Sequence, residues 1–198
     1  MIGFRLAWCF LAAAAPIAAQ AQNREGNAAS GGYFGLEAGL VEHHFYLTRT
    51  DVRTGQSDGQ YYRSWGVGGG AFAGYDFAVY DRTVVGIEAS ALVGGAKNEA
   101  IFTDGTLYRA KPRFGYRIVG RLGRRVGDRG LAYVTAGYGG HRYRVETNGV
   151  DNAESSGHSF VLGAGGEYRV TERIRIRLDF KHLDNQSNQL LLGMPVRF

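Results

Sequence analysis

The feature that most constrains this chain is a period-two alternation of apolar residues with glycine or charged residues, repeated along its length. The clearest stretch reads IRIRLDFK at 174–181, with apolar side chains at even positions and charged ones at odd positions. Because successive side chains of a β-strand point to opposite faces, this pattern predicts strands with one apolar and one polar face. Eight segments follow it: 34–40, 65–77, 85–94, 113–122, 132–139, 160–170, 174–181 and 190–198.

Two β-architectures produce such an alternation. A soluble barrel or sandwich buries its apolar face, whereas a transmembrane barrel turns that face to lipid and keeps a polar lumen. Glycines beside the charges on the polar face favour the second, because an eight-stranded lumen is only wide enough for side chains. Trp65 and Tyr75 are also ten residues apart on one strand, which at about 3.3 Å per residue and about 40° tilt spans a height of about 25 Å and matches the apolar band between two aromatic girdles.

The connections between the segments point the same way. Long polar stretches at 42–63, 95–107 and 145–157 alternate with short ones at 81–82, 123–130 and 171–172, and long extracellular loops opposite short periplasmic turns are the rule for membrane barrels. The sequence therefore predicts an all-β, eight-stranded antiparallel transmembrane barrel of up-and-down topology, with both termini in the periplasm of a Gram-negative bacterium.

The N-terminus has the layout of a secretory signal peptide. Arg5 precedes an apolar run at 6–15 that is too short to span a bilayer as a helix, and small residues at Ala19 and Ala21 predict cleavage after Ala21. Cys9, the only cysteine, would leave with this peptide, which removes disulfides and thiol chemistry. The expected organisation is a signal peptide at 1–21, a short polar segment at 22–31 and a barrel domain at 32–198.

The order of short motifs resembles one family. The chain is similar to the small outer-membrane barrels grouped with opacity proteins and with the barrel of outer membrane protein A, a porin-like family of outer-membrane β-barrel domains. The resemblance is carried by GYFGL at 32–36, GYDF at 74–77, VGIEA at 85–89, RFGY at 113–116, AYVTAG at 132–137 and LGMPVRF at 192–198. It implies that the terminal aromatic, Phe198, is part of the signal read by the barrel-assembly machinery.

The charges on the polar face are expected to form an ion-pair network inside the lumen. Unpaired charges in so narrow a space would be costly, so a rigid plug is favoured over a gated ion path. The expected members are Glu37, Asp76, Glu88, Arg113, Arg117, Arg121, Glu167, Arg169, Arg175, Arg177, Asp179 and Lys181. Aromatic residues on the apolar face predict the girdle, namely Trp65, Tyr75, Phe77, Phe160, Tyr168 and Phe180.

Two other chemistries were weighed against this structural interpretation. All five histidines fall at or near the expected extracellular strand ends, where His158 and His182 could bind a metal or simply suit a wet rim. Ser187, His182 and Asp184 lie close in sequence, as a lipid-modifying enzyme would need, but the motifs of lipid A deacylases are lacking. We therefore expect no catalytic, metal or cofactor site.

Function is then expected to lie in the connections. The stretch 42–63 carries Arg49, Arg53, Tyr61 and Tyr62 as candidate binding residues, since arginine and tyrosine are common anchors at interfaces. The expected role is envelope integrity or adhesion, with small-solute transport and lipid A modification as alternatives. Expected partners are outer-membrane lipid and lipopolysaccharide, the barrel-assembly machinery, periplasmic chaperones and a surface ligand. Interspersed charges argue against nucleic acid, and a monomer is expected.

Overall fold

The strands form a closed antiparallel ring. The structure is a computed structural model that describes residues 30–50, 53–80, 82–101, 105–184 and 186–198, so the predicted signal peptide and nearly all of the polar segment lie outside the described residues. The strands are β1 (Gly31–Thr50), β2 (Ser57–Tyr80), β3 (Thr83–Gly94), β4 (Asn98–Ile101), β5 (Leu107–Val126), β6 (Gly130–Thr147), β7 (Val150–Arg169), β8 (Arg175–Leu183) and β9 (Ser187–Arg197).

Consecutive strands pair with each other except β3 and β4, and β1 pairs with β9 to close the ring. Strands β3 and β4 both pair with β5 and occupy one place in the wall, because Gly94 and Gly95 adopt positive φ angles of 94° and 105° and interrupt the ladder. The ring therefore has eight strand places, and the predicted eight-stranded meander is confirmed. Within the described residues, no helix is long and apolar enough to cross a membrane.

The two ends of the ring differ in how far the paired strands extend. We call the end carrying residues 127–129 and 171–173 the short-turn end, and the other the long-hairpin end. The stretches 42–63 and 145–157, expected to be loops, are mostly strand: β1 runs to Thr50 and β6 turns into β7 at Asn148 and Gly149. Cross-strand aromatic contact, such as Tyr46 against Tyr61 at 4.8 Å between ring centroids, stabilises this extension of the hairpins.

The apolar face of the ring points outward, as predicted. Large apolar side chains such as Leu36, Val67 and Phe160 are 69%, 76% and 74% exposed, whereas the buried residues include many arginines and carboxylates. A soluble barrel shows the opposite distribution. Such a surface is suited to lipid and not to water.

Glycines on the inner face make room for large side chains. A Cβ on Gly165 would lie 2.5 Å from the phenolic oxygen of Tyr133, and one on Gly74 would overlap the phenol of Tyr33. Large side chains on the inner wall thus lie next to glycines, and the space that the glycines leave lets the large side chains cross the narrow lumen.

Candidate functional site

Arg177 lies at the centre of the barrel interior. Its guanidinium donates to Glu88 at 2.5 Å and to Glu37 at 2.7 Å, and its Cζ lies 3.6 Å from the centroid of the Phe72 ring. The Asp179 carboxylate is 3.6 Å from Nε of Arg177. One fully buried cation therefore connects strands β1, β3 and β8 across the lumen.

Arg121 connects the next layer toward the short-turn end. It donates to Glu167 at 2.6 Å and to the Tyr33 hydroxyl at 2.5 Å, and the same hydroxyl donates to Glu88 at 3.0 Å. Its guanidinium also stacks on the Tyr133 ring at 4.1 Å from the centroid, an arrangement that suits the planar cation. This layer is therefore joined to the one around Arg177 through Glu88.

Arg117 and Lys181 continue the network toward the long-hairpin end. Arg117 pairs with Glu37, donates to the Gln189 side chain, and donates to Ser90 at 2.8 Å. Lys181 pairs with Asp179 and lies 3.7 Å from Glu88. Bidentate and shared contacts of this kind compensate the cost of taking charges out of water.

Most of the charges expected in the lumen meet there. Ten of the twelve are buried together: Glu37, Asp76, Glu88, Arg117, Arg121, Glu167, Arg175, Arg177, Asp179 and Lys181. The prediction that Arg113 belongs to the lumen network is wrong. A bulge between Pro112 and Phe114 in the pairing of β5 with β6 places it on the outer surface, where it pairs with Glu154. Arg169 lies at the short-turn end and donates to the backbone of Asp128.

Sequence reasoning missed a further cation, Arg197. It is buried and pairs with Asp76, and it lies 3.7 Å from Glu167. The signal was available, because Arg197 occupies the inward position between Val196 and Phe198 in the period-two pattern of the last segment.

Apolar side chains also pack inside the lumen toward the long hairpins, among buried polar ones such as Ser187 and Gln189, which the sequence did not indicate. Two buried clusters lie there, Val41 with Leu92 and Leu191, and Val119 with Val161 and Leu183. Side chains of this kind exclude water, so they cover the charged network on the side of the long hairpins.

Two histidines expected at a wet rim lie inside the barrel instead. His43 and His141 are buried with their ring centroids 5.0 Å apart, and the Tyr143 hydroxyl lies 3.2 Å from His43 Nδ1. Both residues belong to the inward face of their strands, where Gly95 and Gly115 leave space for the rings. The other three histidines, His44, His158 and His182, point outward.

The expected aromatic girdle residues all lie on the outer face. Trp65, Phe160 and Phe180 stand toward the long hairpins, while Tyr75, Phe77 and Tyr168 stand toward the short turns. Phe198 is exposed at the short-turn end, 6.1 Å from Phe34 between ring centroids, and its N–H donates to Gly32.

The candidate catalytic residues Ser187 and His182 do not come together. Ser187 is fully buried on the inner face, whereas His182 lies on the outer face and hydrogen-bonds to Asn188. In the part of the chain that the structure describes, no three histidine, cysteine or carboxylate side chains form a group that could hold a metal ion.

The candidate binding residues lie on the β1–β2 hairpin beyond the apolar band. Tyr61 is 70% exposed, Tyr62 is half-buried and Arg53 is exposed at the turn. Arg49 pairs with Asp58 in the strand register, and its side chain lies outside the described residues. In the β1–β2 register Tyr61 lies opposite Tyr46, nine residues along β1 from Glu37 of the lumen network.

The β5–β6 hairpin carries its own ion pairs. Glu146 accepts from Lys111 and lies 3.5 Å from Arg109, which also donates to Glu99 at 2.5 Å. The hydrogen bond from Lys111 lowers the pKa of the Glu146 carboxyl, and the charge of Arg109 acts in the same direction. These pairs stabilise the hairpin beyond the membrane band at neutral pH.

Comparison with known proteins is consistent with this architecture. The model of the family described as "Outer membrane protein beta-barrel domain" matches residues 7–195. No curated protein matches the chain significantly.

Solved structures with the same fold include two bacterial surface proteins. The attachment invasion locus protein Ail of Yersinia pestis, solved with the heparin analogue sucrose octasulfate, is 14% identical, with a TM-score of 0.50 over 85% of this chain and 99% of Ail. Neisserial surface protein A is 17% identical, with a TM-score of 0.51 over 86% of this chain and 99% of that protein. At these identities the likeness concerns the fold.

Proposed function

Because the chain belongs to the outer membrane protein beta-barrel domain family, we propose that it is a barrel of a Gram-negative outer membrane, closed to solutes, that acts through its hairpins. Its role is non-enzymatic, in envelope integrity and surface attachment. The short turns, the start of β1 and the end of β9 face the periplasm, and the long hairpins face outward. Phe198, at the periplasmic end, is available to the assembly machinery in this orientation.

The filled lumen carries this proposal. A path for ions would need a continuous wet channel, but the buried carboxylates and cations are paired with one another and apolar clusters cover them. Separating these pairs to admit an ion would leave charges uncompensated in a narrow space, at a cost of about 3–5 kcal/mol for each broken pair. This supports a rigid, closed barrel over a solute pore.

A planar-bilayer recording tests the closed lumen directly. We expect the refolded protein to give no steady openings above the baseline of a protein-free bilayer. An Arg117→Ala variant, which removes a large side chain from the charged network, serves to show what leakage looks like. Defined and steady openings of the unchanged protein would overturn the proposal and make the interior arginines the lining of a pore.

The outward hairpins supply the surface for attachment. Arg53 and Tyr61 are exposed at the β1–β2 hairpin, and Tyr61 packs on Tyr46 so that its ring is held in a fixed position. Pre-ordered tyrosine rings next to arginine cations are well suited to bind anionic partners. The sulfated ligand in the Ail structure suggests the class of ligand to test, an anionic polysaccharide.

Replacing Arg53 and Tyr61 together with alanine is expected to weaken retention on immobilised heparin by about tenfold, the loss typical of removing interface anchors. The matched control is the Arg173→Ala, Tyr168→Ala double variant, which removes the same residue types from the exposed short-turn end and should bind as the unchanged protein does. Equal retention of all three proteins would contradict the assignment to this hairpin.

A further inference from the structure

A polar cluster lies on the membrane-facing side of the barrel at the upper edge of the apolar band. Glu42 is only 7% exposed although it belongs to the outward face of β1, two residues beyond Leu40. Trp65 lies directly across from it on β2, and an outward tryptophan marks the membrane interface. A carboxylate shielded from water at this level is unusual and calls for a partner.

The cluster is a directed chain of hydrogen bonds across three strands. The Glu42 carboxylate accepts from Asn188 and from His44, each at 2.7 Å. The carbonyl oxygen of Asn188 lies 2.7 Å from Nδ1 of His182 and accepts its proton. In the part of the chain that the structure describes, no side chain hydrogen-bonds to Nδ1 of His44 or Nε2 of His182, so both imidazoles keep a free nitrogen.

A fourth strand adds a full cation to this edge. Arg63 pairs with His44 in the β1–β2 register and is exposed on the same face as Trp65. From Arg63 to His182 the cluster crosses β2, β1, β9 and β8, which is about 14 Å at about 4.8 Å per strand. Arg63 thus provides a cation at one end of the cluster, and the imidazole of His182 with its free nitrogen lies at the other.

An apolar groove runs below the cluster on the same strands. Its volume is about 490 Å³, and Leu36 and Ala38 of β1, Leu192 and Met194 of β9 and Ile176 of β8 line it. Leu40 and Leu190 continue this apolar surface up to Glu42 and Asn188. A polar seat above an apolar groove fits an amphiphile with a charged head and an acyl chain.

We propose that this edge is a binding seat for a phosphorylated, acylated glycolipid of the outer leaflet, with one acyl chain in the groove, a sugar phosphate on Arg63, and sugar hydroxyl groups that donate to the free imidazole nitrogens of His44 and His182. The width of the cluster favours a sugar head group, since the smaller head of a glycerophospholipid would meet only one end. Glu42 and Asn188 accept and donate hydrogen bonds to the sugar. This inference rests on the proposed outward orientation of the long hairpins.

The test is a titration of lipid A into the full protein held in phosphatidylcholine nanodiscs, followed by the emission of Trp65 with the Trp65→Phe spectrum subtracted. Arg63→Ala and Ala38→Phe, which fills the groove, should each weaken binding about tenfold. Arg142→Ala, which removes an exposed cation from the rim on β6, should leave binding unchanged. Native mass spectrometry of bound lipid gives a second readout.

Three results would overturn the proposal. Unchanged affinity of Arg63→Ala and Ala38→Phe would mean that the seat does not bind the lipid. Equal binding of phosphatidylglycerol would mean that the site takes any anionic lipid and not a glycolipid. The same conclusion would follow if the long hairpins faced the periplasm, away from the outer leaflet. Weakening by Arg142→Ala to the same extent would indicate a diffuse electrostatic effect. Conductance is independent of these outcomes, so a conducting barrel would overturn the closed lumen alone.

Discussion

Replacing Arg177 with leucine is expected to lower the free energy of unfolding by about 3–5 kcal/mol, the cost of breaking a buried ion pair. The substitution removes the guanidinium that donates to Glu37 at 2.7 Å and to Glu88 at 2.5 Å. It also removes the stacking of that guanidinium on Phe72. The free energy of unfolding of Arg177→Lys should lie between those of the unchanged protein and the leucine variant. Lysine keeps the charge, but its ammonium cannot bridge two carboxylates as the forked guanidinium does. Urea titration of the barrel refolded in liposomes gives the free energies.

Arg113→Leu is the matched control for this measurement. Arg113 also pairs with a glutamate, Glu154, at 3.0 Å, but the two side chains are 52% and 63% exposed. Exposed pairs contribute about 0–1 kcal/mol, so this variant should unfold almost as the unchanged protein does. Similar losses for the two arginines would show that the lumen network does not hold the barrel together.

Replacing Gly39 with alanine is expected to prevent the ring of strands from closing in a large fraction of molecules. An added Cβ would overlap the backbone carbonyl of Leu190 and lie 2.9 Å from the Cα of Leu191. These are backbone atoms of β9 at the pairing that closes the ring, and they cannot turn away as a side chain can. Overpacking commonly costs about 1–3 kcal/mol, and here it acts on the seam between the first and last strands.

The folded fraction is measured by the altered electrophoretic mobility of unheated, folded barrel compared with heated samples. Gly166→Ala is the control, because Gly166 faces outward and the nearest atom to its added Cβ is 3.8 Å away. That variant should fold to the same yield as the unchanged protein, since alanine restricts the unfolded chain more than glycine does. Equal yields for the two variants would show that the seam accommodates a side chain at residue 39.

Much of this fold was accessible from the sequence, because a closed sheet in lipid leaves each side chain only two directions. The alternation through 174–181 predicted which of Arg177 and Leu178 points inward, and the same reasoning held for most of the wall. It failed on β5 at Arg113, where a bulge shifts the alternation by one residue. Bulges depend on the pairing of two strands, so a single segment gives no sign of them.

The site was harder to derive than the fold. Hydropathy separated an inner from an outer face, but it could not show that Val41 and Leu191, which break the polar pattern of the inner face, meet in one apolar cluster. The cluster of Glu42, His44, Asn188 and His182 likewise depends on register across β1, β8 and β9. Residues 140 or more positions apart in the chain are brought together there, and local patterns carry no information on such distances.

The pairing of β1 with β9 also governs when this protein can finish folding. Tyr33 and Arg197 face each other in that ladder, so the contact that completes the wall joins the two most distant strands and has the highest loop-closure entropy. An emerging chain lacks that partner and exposes an unpaired edge of β1 until β9 has been made. Closure of the wall therefore has to wait for β9, and the interval before it is the period in which the chain depends on helpers that keep it from aggregating.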